Sequence, residues 1–323
     1  MYNNIISIEN LFLSWQEFLK GKRKRKDVAE FSLNIFDNII KLHQELKSKI
    51  YQHGKYQAFK INDPKPRDIH KASVRDRLVH HAIYRILYSY FDKKFIYDSY
   101  SCRLEKGTHK AINRFRYCCR KVSKNNIKTC WILKCDIKKF FANIDHQILK
   151  NILAKHIKDN NVLWLLSQII DSFNTEKKND VGLPLGNLTS QLFVNIYMNE
   201  FDQFVKRELK IKHYIRYADD FIILHTNKLY LEAIIAAIFK FLKEQLKLDL
   251  HPDKIFIRTL FSGIDFLGWV NFYHHRILRT ATKRRMLRNI NNKFSAESIT
   301  SYLGLLSHGN TYELSSLLTS LFL

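Results

Sequence analysis

The stretch HYIRYADDFIIL (213–224) sets two adjacent aspartates, Asp219 and Asp220, between two apolar, β-prone runs. Acids are disfavoured in such runs and repel one another, so something has to compensate the pair. An exposed hairpin turn would do so, because Asp tolerates turn geometry. A divalent cation would also do so, because hard ions are held by carboxylate oxygens. A second acid in a similar setting favours the cation. WILKCDIKKFFANID ends an apolar run on Asp136 and continues through two lysines and two phenylalanines. Asp136 alone reads as an ordinary strand-end acid; Asp136, Asp219 and Asp220 together point to chemistry carried out on a bound cation.

Elements that could position these carboxylates are visible in the periodicity. Residues 29–51, 75–92 and 229–247 carry apolar positions at helical spacing, and in the last Leu231, Ile234, Ile235, Ile238 and Leu242 form one stripe. Shorter apolar runs at 129–137, 213–217, 221–225 and 265–271 predict strands. Few strands among many helices, some linked as hairpins, predict an α+β fold with an antiparallel sheet rather than a doubly wound one. With only 9 Gly and 4 Pro and no repeat, no boundary or linker announces itself.

The 323 residues are 46% hydrophobic, ample for a core and against disorder. The formal charge of +24 predicts a polyanionic partner, nucleic acid first and a membrane surface second. No apolar run approaches the roughly 20 residues of a spanning helix, and the N-terminus lacks a signal-peptide layout, so an intracellular, cytoplasmic protein without a membrane partner is expected. The five cysteines show no CxxC spacing and are expected to be reduced. Positive charge concentrates at 20–26 (KGKRKRK) and at 276–293, where Arg276, Arg279, Lys283, Arg284, Arg285 and Arg288 are punctuated by apolar residues. A solvated face would explain either run; given the overall charge, the second is expected to be a helix that meets phosphate backbone. His80 and His81 lie in an apolar helical run without metal-ligand company and read as core or RNA-contacting imidazoles.

The ordered set of Asp136 with Phe141 five residues later, GLPLGNLTSQ (182–191) and Tyr-Ala-Asp-Asp (217–220) resembles the palm motifs of reverse transcriptases. Lys254 in LDLHPDKIFI resembles the lysine after the palm helix, and Phe266-Leu267-Gly268 the primer-grip turn. PKPRDI (64–69), VRDRLVHHAIYRIL (74–87), DSYSCRLEKGTHKAI (98–112) and SYLGLLSHGNTYEL (301–314) resemble the branch found in diversity-generating retroelements. The resemblance covers roughly residues 60–315.

This resemblance implies a right-hand polymerase: fingers over 1–130, palm over 131–270 interleaved with them, and a short basic helical thumb over 271–323. It implies RNA-directed DNA synthesis with two Mg²⁺ ions, Mn²⁺ being a possible substitute, held by Asp136, Asp219, Asp220 and the main-chain carbonyl of Ile137. Phosphoryl transfer needs charge neutralisation and in-line positioning more than covalent help, which suits carboxylates and metals. Lys254 would donate a proton to the pyrophosphate, and Phe141 would exclude a ribose 2′-hydroxyl. Lys65 and Arg67 would contact the triphosphate, Gly186 would let backbone approach the nucleotide, and Leu185 stands where many relatives carry glutamine. Ser190 and Gln191 open an expected buried helix (190–206) and read as structural or template-facing.

The implied partners are template RNA, primer or cDNA, deoxynucleoside triphosphates, a structured non-coding RNA and a small basic accessory protein. The implied system is a diversity-generating retroelement with errors at template adenines. An antiphage defence enzyme working with a non-coding RNA is the rival, and a catalytically idle RNA-binding scaffold is disfavoured by the intact aspartates. No ribonuclease H, endonuclease or protease segment is expected, so priming and integration would fall to other factors.

Overall fold

The computed structural model describes residues 1–63, 66–175, 179–292 and 295–320. Along the chain run helices α1 (Tyr2–Ile6), α2 (Ile8–Leu19), α3 (Lys26–Leu33) and α4 (Ile35–Lys47), then strands β1 (Gln57–Ile61) and β2 (Arg67–Lys71). Next come α5 (Val74–Asp92), α6 (Thr108–Val122), β3 (Trp131–Asp136), α7 (His146–His156), α8 (Asn160–Asp171) and α9 (Leu188–Gln203). A hairpin of β4 (Tyr214–Tyr217) and β5 (Asp220–His225) leads into α10 (Lys228–Leu246). Beyond it lie β6 (Phe256–Thr259), β7 (Ile264–Phe266), β8 (Trp269–Asn271), β9 (Arg276–Leu278), α11 (Thr280–Asn292), α12 (Ala296–Leu306) and α13 (Tyr312–Ser320). The fold is α+β with antiparallel sheets, as the periodicity predicts. Among the described residues no helix is long and apolar enough to cross a membrane.

The chain forms two compact units, the first from Met1–Tyr97, Ile137–Phe204 and Lys240–Asp249, the second from Asp98–Asp136, Val205–Phe239 and Leu250–Leu323. In the first, α9 is buried nearly all round through Leu192, Phe193, Val194, Ile196, Tyr197 and Met198, and it packs on α5. Helix α5 starts where Ser73 accepts from the Asp76 amide and donates to Asp76 Oδ2 at 2.6 Å, a reciprocal cap that fixes the first turn. Antiparallel β1 and β2 form a separate ribbon, with Ile61 opposite Arg67.

The second unit is built on a four-stranded antiparallel sheet in the order β4-β5-β3-β6. Its apolar side chains Cys130, Ile132, Ile215, Ile222 and Leu224 share a core with Ala111, Phe115, Cys118 and Cys119 of α6. A three-stranded sheet β7-β8-β9 and helices α11–α13 enclose Trp269, Leu278, Met286, Ile290, Ile299, Leu306 and Leu318.

Four expectations about element bounds are corrected. The helix expected over 29–51 breaks at Asn34 (φ −119°, ψ 42°), where Asn38 Nδ2 caps the Phe31 carbonyl at 3.0 Å. It then ends at Lys47, ahead of the left-handed Lys49 (φ 57°). The run 265–271 is two strands, because Leu267 (φ 51°) and Gly268 (φ 88°) make a two-residue turn between paired Phe266 and Trp269. The basic segment 276–293 opens as strand β9 paired to β8, and its helix starts only at Thr280. The buried helix expected at 190–206 starts at Leu188 and continues after Gln203 as a π-helical turn over Phe204–Glu208.

Candidate active site

Strand β3 lies inside its sheet, flanked by β5 and β6, and ends on Asp136. Antiparallel register sets Asp136 directly opposite Asp220, the first residue of β5. The pairing of Tyr217 with Asp220 leaves Ala218 and Asp219 as a two-residue loop. Ala218 takes φ 55°, a left-handed value usual for glycine, so the loop stores strain at the point where Asp219 is presented. Arg216 braces it from below: it is fully buried and donates from Nη1 to the Ala218 carbonyl (3.1 Å) and from Nη2 to Ser99 Oγ (3.1 Å).

Two lysines answer the carboxylates. Lys254 Nζ donates to Asp136 Oδ1 at 2.8 Å, and Lys134 Nζ lies 3.3 Å from Asp220 Oδ2 while donating to the Asp265 carbonyl at 2.9 Å. The Asp136 carbonyl accepts from the His251 amide at 2.8 Å, which fixes the backbone on which Lys254 follows. Burial pushes the Asp220 carboxyl up to about 6; Lys134 opposes the shift, and the charges of Asp136 and Asp219 add to it. Asp220 Oδ1 is enclosed without a hydrogen-bond partner. A buried carboxylate oxygen left unpaired among other carboxylates is a fit for a divalent cation, which supplies the missing positive charge and accepts oxygen donors. Asp136, Asp219 and Asp220 would hold it. Ile137, the other expected ligand, is buried and follows Asp136 directly.

The first unit gathers most of the residues expected at the nucleotide. Phe141 lies in a 3₁₀ turn (Phe140–Asn143) whose ring is edge-on to Phe140 at 5.7 Å. Its carbonyl accepts from the Leu183 amide at 2.8 Å, and the Gly182 amide donates to the Ile144 carbonyl at 2.8 Å, so the GLPLG segment runs along this turn. The far end of that segment reaches β2: the Leu185 carbonyl accepts from the His70 amide (3.1 Å), and Asn187 Nδ2 donates to the His70 carbonyl (2.8 Å). Gly186 has φ 101°, and a Cβ there would meet Ile69 Cγ2 at 3.0 Å, so the position suits glycine. Arg67, exposed at the start of β2, belongs to the same ribbon. Lys65 lies outside the described residues.

Helix α11 has the expected two-sided character, with Met286 and Ile290 buried and Lys283, Arg284 and Arg288 exposed. Arg285 is half-buried. Arg279 is ion-paired with Asp265 at 3.1 Å, and Arg276 lies on β9 rather than on the helix. His80 is a satisfied core imidazole, with Nδ1 2.9 Å from Thr189 Oγ1 and Nε2 3.0 Å from His53 Nε2. One further grouping, His146 with Asp171 and Asp180, brings ligand atoms within 4.8 Å of one another, but Lys150 already neutralises Asp171 at 2.6 Å.

Two residues escaped the sequence reading. Lys134 stands two residues before Asp136 on the same strand face, a period-2 relation that could have identified it. Arg216 carried no such signal, because an arginine in an apolar run reads as an edge residue.

The sequence model of the family described as reverse transcriptase (RNA-dependent DNA polymerase) matches residues 59–271. Protein YkfC of Escherichia coli is 26% identical across 67% of this chain and 64% of its own length. The group II intron-encoded protein LtrA of Lactococcus lactis is 23% identical across 88% of this chain and 58% of its own. Among solved structures, apo telomerase from Candida tropicalis superposes with a TM-score of 0.53 at 15% identity, over 69% of this chain and 48% of that one. Telomerase from Candida albicans, in complex with a fragment of telomeric RNA, gives 0.55 at 11% identity, over 80% and 51%. The likeness in fold is thus to right-hand polymerases, and this chain spans about half to two thirds of these proteins.

Proposed function

From the premise that the chain belongs to the reverse transcriptase (RNA-dependent DNA polymerase) family, we propose that it copies a cognate RNA into DNA on the Asp136–Asp219–Asp220 site. The observation that carries the reading is the Asp136–Asp220 rung, with Asp219 in the adjoining strained loop and Asp220 Oδ1 lacking a partner. When bound there, a pair of Mg²⁺ ions, or Mn²⁺ in their place, supplies activation of the primer 3′-hydroxyl and neutralisation of the departing pyrophosphate. The carbonyl of Ile137 is assigned to the same ligand set.

The chain's own residues do the rest. Lys254 is paired with Asp136 Oδ1 at 2.8 Å and is the proton donor to the leaving pyrophosphate. Lys134 holds Asp220 and is itself fixed by the Asp265 carbonyl. Arg67, with Lys65, takes the triphosphate, for which a forked guanidinium is suited. Phe141 excludes the 2′-hydroxyl, and Leu185 and Gly186 border the incoming base. Fingers are assigned to 1–130, palm to 131–270 and thumb to 271–323, with Lys283, Arg284, Arg285 and Arg288 of α11, together with Arg279, on the nucleic-acid backbone.

At the level of the system, the chain is assigned to a diversity-generating retroelement: Leu185 in GLPLG offers only apolar contact where a glutamine could enforce geometry by hydrogen bonding. A structured RNA and a small basic accessory protein complete the grip on the duplex. The test is extension of oligo(dT) on poly(rA) by the purified chain with dTTP and Mg²⁺ or Mn²⁺. Product that is lost in EDTA supports the reading; absence of product with either ion, from folded protein, both on this template and on the structured RNA encoded beside the gene, overturns it.

A further inference from the structure

Arg276 opens β9 and lines a recess that α6 shares with the β8–β9 segment. Its Nε donates to the His308 carbonyl, its Cζ lies 5.7 Å from the centre of the Trp269 ring, and its Nη1 is enclosed with no hydrogen-bond partner. Arg116 and Arg120, one turn apart on α6, line the same recess and are exposed. Arg116 reaches across by donating from Nη2 to the His274 carbonyl at 3.2 Å. Among the described residues that line the recess, none is acidic. Burial, and then the charge of Arg116, hold the Arg276 guanidinium below the usual arginine range.

Three guanidinium groups without a carboxylate are mutually repulsive, and an enclosed N–H without an acceptor is costly. The repulsion is removed by an anion that brings several acceptor oxygens, and forked guanidinium donors match phosphate in geometry. We propose that Arg116, Arg120 and Arg276 form a phosphate-binding recess that grips the backbone of a folded RNA. Two of the arginines that line the recess are exposed, which suits a phosphate projecting from a strand better than an enclosed free anion. His275 is exposed, stacked on Phe272 with ring centres 4.9 Å apart, and Tyr273 lies beside them, so flat rings adjoin the phosphate position. Aromatic faces next to arginines are how unpaired RNA bases are held. The net charge of +24 favours a polyanion of this kind. The proposal rests on the polymerase reading only for the choice of RNA as that polyanion.

The test measures binding of a fluorescein-labelled RNA stem-loop by anisotropy across a salt series. It compares the wild-type chain, Arg116→Gln/Arg120→Gln, and a charge-matched control, Lys41→Gln/Lys47→Gln, on the exposed face of α4. The arginine pair is expected to weaken binding by roughly tenfold and to lower the salt slope by about two, while the control changes neither by as much. Equal effects in the two variants, or none in either, overturn the site. If the glutamine pair unfolds, Arg116→Lys/Arg120→Lys is read instead: weaker binding with the slope retained is expected, and unchanged binding overturns the proposal. Loss of binding to poly-glutamate without loss of RNA binding assigns the recess to an acidic protein and also overturns it. Because binding is measured and not extension, a chain that makes no DNA yet loses RNA affinity on substitution keeps this site while the polymerase reading fails.

Discussion

Asp136 and Asp220 occupy one rung of the β3–β5 ladder, two acidic side chains directly opposed where like charges destabilise a sheet. Lys254 pairs with Asp136 and Lys134 with Asp220, which offsets the repulsion, yet burial leaves Asp220 with its carboxyl pushed up to about 6. Neutralising that carboxyl should therefore stabilise the cation-free protein. Asp220→Asn is expected to raise the unfolding free energy in EDTA at neutral pH by about 1–2 kcal/mol while reducing DNA synthesis. Denaturant unfolding checks this, and a destabilised Asp220→Asn protein would show that the rung is held for the fold.

Phe141 is half-buried, with one edge against Phe140 and its backbone pinned to the GLPLG segment through Leu183. Shortening the ring should open space for a 2′-hydroxyl without releasing the turn. Phe141→Ala is expected to raise ribonucleotide use relative to deoxynucleotide by roughly ten- to a hundredfold. An unchanged ratio in a variant that still extends primers would assign the ring to packing alone.

Leu185 is anchored through its carbonyl to the His70 amide, so its side chain can be changed without altering that bond. Errors by the wild type are expected to concentrate opposite template adenine, and Leu185→Gln is expected to lower them. Sequencing cDNA copied from an RNA containing all four bases reads both. Equal adenine error rates in the two proteins would remove Leu185 from fidelity, and wild-type errors spread evenly over the bases would favour a defence role over diversification.

His80 is held neutral in the core, its imidazole pushed down to about 3 by burial and then by His53, His81 and Arg77, with Asp76 pulling the other way. The unfolded chain protonates this group near its ordinary value, so on acidification the unfolded state binds a proton that the folded state refuses. Stability should fall as pH drops from about 6.5 toward 4, with His80 responsible for about 2 kcal/mol of the loss. His80→Gln should flatten that part of the curve. A slope identical to wild type would mean that the loss arises elsewhere.

The fold and the site were legible in unequal parts. Asp219 and Asp220 could be found because two acids in an apolar run have no packing reason to be there, and α5 and α10 because their stripes are long. Periodicity ran one strand through Leu267, because leucine carries no turn signal, whereas the resemblance put a turn at Phe266-Leu267-Gly268; Leu267 adopts φ 51° where Phe266 and Trp269 pair across it. Arg276 read as part of a basic helix because charge counts do not register that β9 pairs with β8. Arg216 was silent because its role is to fill hydrogen bonds of a loop whose shape only the folded chain defines.

The central claim is that Asp136, Asp219 and Asp220 serve DNA synthesis rather than the fold, and one paired measurement tests it. Primer extension on an RNA template and binding of the same RNA are measured together for wild type, Asp136→Asn and Asp219→Asn. The account predicts extension reduced by roughly a hundredfold or more in each variant, with RNA affinity within about threefold of wild type. Extension by Asp219→Asn comparable to wild type would contradict it.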